Sequence, residues 1–341
     1  MTPIIHPQLV NNAFGDPVLY VDFRFERRAM LFDLGNIESL PARKLLRLTH
    51  IFVSHTHMDH FIGFDRIVRI CLGRARNLAL YGPPGFIGQV EHRLAAYTWN
   101  LVHNYDTDFT LDVSELHVTG ELRSARFRCR TEFRRQDLPS RLVANGILVD
   151  EESFRVRAVI LDHRIPCLGF ALEELQHINI WKNRLRELEI PTGPWLRELK
   201  TAVRRGDPDT TIFTVWWTDR LGRHEQAIPL GELRRNVVQI VPGQKIAYIV
   251  DIISHADNIA RVQELAHHAD ILFIEAVFLQ QDATQALQKY HLTARQAGEI
   301  GRYSQVRRIV PMHFSSRYSG KESDIYQEVQ AAFVPMLPSP E

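Results

Sequence analysis

The sequence predicts an α/β fold in which strands and helices alternate and the chemistry gathers at strand ends. Three observations predict it. Apolar runs of strand length recur along the chain, among them Leu48 to Val53, Leu78 to Tyr81, Val156 to Leu161 and Ile246 to Val250. Stretches with helical spacing lie between them, such as Phe61, Phe64, Ile67, Val68, Cys71 and Leu72. Several of the runs are followed directly by histidine or aspartate.

From the amino terminus, Val18 to Phe23 and Ala29 to Asp33 read as paired strands around a charged turn from Arg24 to Arg28, and Leu34-Gly35 turns the chain. The strand ending at Val53 opens into Ser54-His55-Thr56-His57-Met58-Asp59-His60, which holds four metal-capable side chains. His55 and His57 can reach one cation, and Asp59 and His60, one step further, can reach a second. Imidazole with carboxylate is a ligand set that suits zinc. Two divalent ions about 3.5–4 Å apart clamp the attacking and leaving oxygens of a displacement. Beyond the cluster a helix packs one face inward, and Gly82-Pro83-Pro84-Gly85 breaks the chain before an amphipathic helix from Phe86 to Leu101. Residues 106 to 160 read mostly as further short strands.

Composition suits a soluble enzyme of one large domain or two: 341 residues, 45% apolar and 24% charged, can bury a sizeable core. Lys plus Arg number 41 and Asp plus Glu 40, so the net charge of +1 names no partner. Cys71, Cys129 and Cys167 are widely spaced, which reads as a reducing compartment with neither a disulfide framework nor a cysteine zinc site. The opening Met-Thr-Pro-Ile-Ile-His lacks a basic flank followed by an apolar run, and no stretch approaches the ~20 apolar residues of a membrane span, so a cytoplasmic protein with no membrane partner is expected.

Local charge concentrates from Arg123 to Arg141. Arg123, Arg126, Arg128, Arg130, Arg134, Arg135 and Arg141 stand against Glu132 and Asp137, a balance of 7 − 2 = +5. Alternate arginines on a strand make a face suited to phosphate. They equally make an edge strand blunted by charge against aggregation.

Three more residues fall at strand ends. His163 follows Val156 to Leu161, where a third ligand for the His55/His57 ion would have to sit. Asp251 follows Ile246 to Val250, where a carboxylate can bridge two metals, and His313 follows Ile309 to Met312. Each alone is as readily structural; together the placements point to one site.

H-x-H-x-D-H, a His in a loop, an Asp after an apolar strand and a late His form the pattern of the metallo-β-lactamase fold. Over roughly residues 28 to 320 the chain resembles the ribonuclease Z branch, the tRNA 3′-processing endonucleases. The resemblance is carried by His163-Arg164-Ile165-Pro166 with Gly169-Phe170, Ile190-Pro191-Thr192-Gly193-Pro194, His291-Leu292-Thr293-Ala294-Arg295-Gln296-Ala297 and His313-Phe314-Ser315-Ser316-Arg317-Tyr318. It implies a metallo-β-lactamase-type αββα sandwich spanning 1–341 as a single domain, with an inserted arm. It implies His55, His57, His163 and Asp251 as ligands of one Zn²⁺ and Asp59, His60, Asp251 and His313 as ligands of another; manganese or iron would accept the same set. A homodimer is implied as well.

The resemblance has departures. The opening strand with its Phe-Leu-Gly-Thr-like signature is absent, which leaves the first 27 residues unmatched. Val250-Asp251-Ile252-Ile253-Ser254 stands where Gly-Asp-Thr-Arg is usual, and the later His-Glu-Ala-Thr-Phe motif reads Ile274-Glu275-Ala276-Val277-Phe278.

Residues 174 to 207 show no strand pattern. Lys182, Arg184, Arg186, Arg197, Lys200, Arg204 and Arg205 against Glu174, Glu187, Glu189, Glu198 and Asp207 give 7 − 5 = +2. In the ribonuclease Z branch a Gly-Pro-containing arm at this place grips the body of the tRNA, and Pro191 to Pro194 resemble its tip; a lid or a dimer-packing hairpin is the alternative. Trp216 and Trp217 read as core or interface residues.

The expected reaction is zinc-dependent removal of the 3′ trailer of precursor tRNA, by two-metal hydroxide attack that leaves a 3′-hydroxyl. Asp59 would ligate and orient the attacking group, and Ser315, Ser316 and Arg317 would bind the phosphate. His291 would protonate the departing oxygen, with Glu275 orienting it; a helix-entry histidine is the other reading of His291. The alternative function is a small-molecule metallo-hydrolase of the same fold, a phosphodiesterase or an ester or lactone hydrolase.

Overall fold

Apolar runs separated by turn-forming residues pair into two large β-sheets. The computed structural model describes residues 5–24, 26–219 and 222–334, so the reading of Met1 to Ile4 falls outside it. The first sheet holds eight strands in chain order: β1 (Ile5–Leu9), β2 (Leu19–Phe23), β3 (Ala29–Phe32), β4 (Leu48–Phe52), β5 (Arg76–Gly82), β6 (Phe109–Leu116), β7 (Glu121–Arg128) and β8 (Arg135–Leu142). Neighbours from β3 to β6 are parallel, which demands crossovers. These contain α1 (Ala42–Leu45), α2 (Met58–Phe61), α3 (Phe64–Cys71) and α4 (Phe86–Ala95).

The second sheet begins with β9 (Ile147–Asp150), β10 (Phe154–Asp162) and β11 (Pro166–Glu174). The next elements belong to a separate unit: β12 (Gln176–Ile180), α5 (Lys182–Glu187), α6 (Trp195–Arg205), β13 (Ile212–Asp219), β14 (Gly222–Pro229), α7 (Leu230–Val237) and β15 (Val238–Pro242). The sheet is completed by β16 (Lys245–Ile249), β17 (Ile271–Glu275) and β18 (Ile309–Met312), in the order β18-β17-β16-β11-β10-β9. With them come α8 (Ala256–Ala266), α9 (Ala283–Lys289), α10 (Ala294–Tyr303) and α11 (Glu322–Phe333).

Aromatic side chains join the two sheets. Phe32 and Phe52 stack at 5.0 Å and meet Phe170 of the second sheet at 5.6 and 5.7 Å, while Tyr248 lies 5.8 Å from Phe32. Outside them, Phe64, Ile67 and Val68 of α3 bury against the first sheet, and Val262, Leu265, Ile300 and Val329 against the second. The layers are therefore helix, sheet, sheet, helix.

Internal contacts divide the chain into one unit of residues 1–149, 156–172 and 245–341 and another of 150–155 and 173–244. The second has its own core, in which Trp195, Leu199 and Val203 of α6 pack with Ile178, Val215 and Leu233. Segment 174 to 207 is thus part of a larger unit, and it does contain a strand. β12 escaped notice because its apolar alternation, Ile178 and Ile180, is only two residues long and its partner β15 comes after α7. Trp216 and Trp217 pack, partly buried, against this core.

Two other expectations change. The helix expected to reach Leu101 ends at Ala95, where Trp99 Nε1 folds back and donates to the Leu94 carbonyl at 2.8 Å, satisfying a helix-end acceptor. The unmatched amino-terminal residues supply β1 and β2. Among the described residues no helix is long and apolar enough to cross a membrane.

Candidate metal centre

The site is built from the carboxyl ends of six strands, where open α/β sheets commonly bind ligands. Asp33 follows β3, His55 and His57 occupy the loop after β4, and Asp59 and His60 fall in α2. His163 follows β10, Asp251 follows β16, Glu275 ends β17 and His313 follows β18. His291 enters just before α10, whose start carries the expected capping box of Thr293 and Gln296. Asp33, Asp251 and His313 have φ of 60°, 49° and 59°, a left-handed conformation rarely adopted outside glycine and maintained only where surroundings over-determine it.

Hydrogen bonds turn four of the imidazoles, His55, His60, His163 and His291, so that Nδ1–H faces the protein. His163 donates Nδ1–H to the Tyr290 carbonyl at 2.7 Å, His60 to Asp33 Oδ2 at 2.9 Å and His291 to Glu275 Oε2 at 2.8 Å. Ser54 Oγ gives its proton to Asp33 Oδ2 at 2.9 Å, so it accepts from His55 Nδ1–H at 3.1 Å. The Nε2 lone pairs of His55, His60 and His163 are left pointing at Asp251 Oδ2, at 3.5, 3.5 and 3.4 Å. Asp59 Oδ2 lies 3.4 Å from His60 Nε2 and 3.3 Å from His313 Nε2.

These distances are too long for good hydrogen bonds, yet they match the edge of a ligand tetrahedron. Donors about 2.0–2.1 Å from a zinc ion stand roughly 3.4 Å apart. His55 Nε2, His60 Nε2, Asp251 Oδ1 and His313 Nδ1 are buried without a hydrogen-bond partner among the described residues, although the last two approach to 2.8 Å. Buried polar atoms are normally satisfied, so four such orphans converging on one place fit cations. Three adjoining sets emerge: His55, His57, His163 and Asp251; Asp59, His60 and His313; and Asp251, Glu275, His291 and His313. The first is the four-residue set inferred from the sequence, and the second holds three of the other four; Asp251 joins the first and third.

Burial drives His55 down to about 2, helped by His60. Burial also opposes a charged His60 and His313, but Asp251, with Asp33 beside His60, outweighs it and holds both imidazoles well above their ordinary value. For Asp59 and Asp251 burial pushes upward, and the facing histidines reverse it, holding both carboxyls well below the usual range. His291 is raised by Glu275 against the effect of burial.

A cavity of about 430 Å³ opens on this cluster; its wall includes His57, Asp59, Asp251, His291 and His313. Glu275 lies behind that wall, its Oε1 accepting from the amides of Ile252 and Leu292, both at 3.0 Å. Ser315, Ser316 and Arg317 do not line the cavity; the Arg317 guanidinium lies over Phe278 and pairs with Asp282 at 3.2 Å. Asp33, Lys289 and Tyr290 complete the surroundings without having been singled out in the sequence, together with Arg164, which was quoted there only within the motif that follows His163. Asp33 could have been found by the rule that found Asp251, since it too is an aspartate directly after an apolar strand. The amino-terminal segment also braces the site, because Ala13 O accepts from the Phe314 amide at 2.7 Å. Gly35 lies so close beneath the metal-binding loop that a Cβ there would sit 2.3 Å from the Asp59 carbonyl oxygen.

No family model matches the chain. It is 29% identical over 306 residues to a ribonuclease Z of Deinococcus radiodurans, covering 89% of this chain and 86% of that protein. The chain is a homologue of ribonuclease Z. A ribonuclease Z of Enterococcus faecalis is 28% identical over 317 residues, covering 90% and 84%. In structure, human tRNase Z, short form, is similar with a TM-score of 0.51 at 19% identity, covering 92% of this chain and 93% of that one. The metallo-β-lactamase fold protein YhfI of Bacillus subtilis is similar with a TM-score of 0.53 at 13% identity, covering 96% and 94%, so the ribonuclease Z homologue has that fold, with helical layers outside two sheets and the histidine and aspartate cluster at their strand ends.

Proposed function

We propose that the chain is a metal-dependent endoribonuclease that removes the 3′ trailer of precursor tRNA, with zinc as its cation and a homodimer as its assembly. The observation that carries the reading is the pair of ligand sets His55, His57, His163, Asp251 and Asp59, His60, His313, linked by the 2.8 Å approach of Asp251 Oδ1 to His313 Nδ1, with the His291–Glu275 hydrogen bond beside them, in a chain whose relatives are named ribonuclease Z. Bound divalent cations would supply an activated water and neutralise charge on the phosphoryl oxygens. His55, His57, His163 and Asp251 would hold one, and Asp59, His60, His313 and Asp251 the other.

The remaining steps belong to the chain's own groups. Asp59, the most exposed of the carboxylates in these sets, faces the cavity and orients the attacking oxygen. His291 also faces the cavity, and Glu275 behind it favours the protonated imidazole, the form that can give a proton to the departing 3′ oxygen. With Arg317 paired to Asp282, the scissile phosphate is met instead by Lys289, which lines the cavity. The unit of residues 150–155 and 173–244, which includes the Pro191 to Pro194 turn, would contact the body of the tRNA.

The test is incubation of the zinc-loaded protein with a 3′-extended precursor tRNA and with bis-p-nitrophenyl phosphate, alongside Asp59→Ala. Release of a 3′ trailer, abolished by chelation and lost by at least about a hundredfold in Asp59→Ala, is the expected result. Turnover of the phosphodiester with no cleavage of tRNA would replace the nuclease by a small-molecule phosphodiesterase.

A further inference from the structure

The turn between β10 and β11 carries a residue the mechanism has not used. Arg164 follows the ligand His163 with φ at 62°, a conformation that costs a non-glycine residue about 1–2 kcal/mol and that glycine or asparagine would adopt more readily. Its guanidinium lies 4.7 Å from the centroid of the Tyr290 ring. The Tyr290 carbonyl is the same residue's contact with His163 Nδ1, so one tyrosine fixes both the metal-facing imidazole and the cation beside it. Asp162 accepts its backbone N–H at 2.8 Å. The exposed guanidinium itself makes no ion pair or hydrogen bond among the described residues.

Arg164 stands between two cavities. One is the 430 Å³ opening onto the metal cluster, and the other is a neighbouring cleft of about 320 Å³ that also shares Ile165. Its lining combines apolar Ile160 and Pro166 with polar Asp162, His255, Asp257, Asn258 and Arg261. Such a mixture suits a nucleoside, which presents a flat apolar face and a hydrogen-bonding edge. Planar guanidinium is matched to phosphate by its paired donors.

We infer that Arg164 binds the phosphodiester next to the scissile one, and that the cleft beyond it receives the nucleotide attached to that phosphate. The inference deepens the nuclease reading and rests on it. It makes Arg164 a substrate-binding residue that senses a chain of phosphates, where a substrate with a single phosphodiester has nothing for it to hold. A strained arginine held on an aromatic ring beside a ligand is thereby explained by what it grips.

Arg164→Ala and Arg164→Lys test this against the wild type. For the 3′-extended precursor tRNA, Arg164→Ala is expected to lower kcat/KM by about tenfold to a hundredfold, chiefly through KM, with Lys recovering part of the loss. Turnover of bis-p-nitrophenyl phosphate should stay within about twofold. The slope of RNA affinity against salt should fall by about one, which a purely structural role would not produce. Equal losses on both substrates, or no loss on either, would overturn the proposal. Should the wild type turn over the phosphodiester but not tRNA, the nuclease reading fails separately. Inhibition of that turnover by a short single-stranded RNA then decides Arg164 alone: weaker inhibition in Arg164→Ala supports it, and unchanged inhibition refutes it.

Discussion

Two clusters of charge in the same unit, the arginines of β7 and β8 and the histidines at the strand ends, are equally conspicuous in the sequence and opposite in what they retain. The arginines are already answered. Arg126 forms a paired contact with Asp112 at 2.6 and 2.9 Å, Arg128 meets Asp108 at 2.8 Å, and Arg135 lies between Asp137 and Glu91. Arg123 and Arg134 pair with Glu121 and Glu132. His55, His60, His313 and Asp251, by contrast, each keep a buried polar atom with no hydrogen-bond partner among the described residues. A count of charge along the chain measures neither state, because several of the acids that neutralise the strip, Glu91, Asp108, Asp112 and Glu121, lie outside it in sequence. What marks a binding site is charge left without a partner.

The sharpest way to break this contrast is to remove Asp251. Asp251→Ala takes away the carboxylate that faces His55, His60 and His163, and hydrolysis of bis-p-nitrophenyl phosphate should fall by on the order of a thousandfold. Metal content per chain, measured by elemental analysis, should fall with it. Activity within tenfold of the wild type would mean that Asp251 does not share the cations.

A smaller effect is expected one layer out. Asp33→Asn keeps the shape but weakens the acceptor that orients His60 and Ser54, and should weaken metal retention against a chelator by about tenfold to a hundredfold. Retention equal to the wild type would make Asp33 a purely structural residue.

The smallest effect belongs to the strip. Arg126→Gln and Arg128→Gln should each change stability by less than about 1 kcal/mol, as exposed ion pairs do, and leave the salt dependence of RNA binding where it was. A reduced slope would show that the strip meets phosphate after all.

Legibility in the sequence followed the distance over which each feature is encoded. The His55 to His60 cluster was readable because four metal-capable side chains fall within six residues, and His163, Asp251 and His313 because each follows an apolar run. Asp33 sits at such an end as well, but with no histidine nearby it looked like the close of a strand. β12 and β15 pair across most of their unit, so neither segment announces the other. Arg317 shows the limit of carrying over a motif: the residue is in place, and Asp282, many positions earlier, determines where its charge goes. Arg164 was visible as a letter, but its strained turn and its tyrosine were not.

The delivery of ligands by separate strand ends also has a consequence for how the protein comes into being. Contacts between residues so distant in sequence form late and slowly, since a large loop must close before any of them is made. A chain emerging from the ribosome presents His55 and His57 when His313 has yet to be synthesised, and so carries only fragments of a site. Cations that prefer the finished cluster draw the equilibrium toward the fully paired sheets by mass action. Retained metal is then a record that the whole polypeptide, from its amino-terminal strands to its last sheet strand, has reached its native pairing.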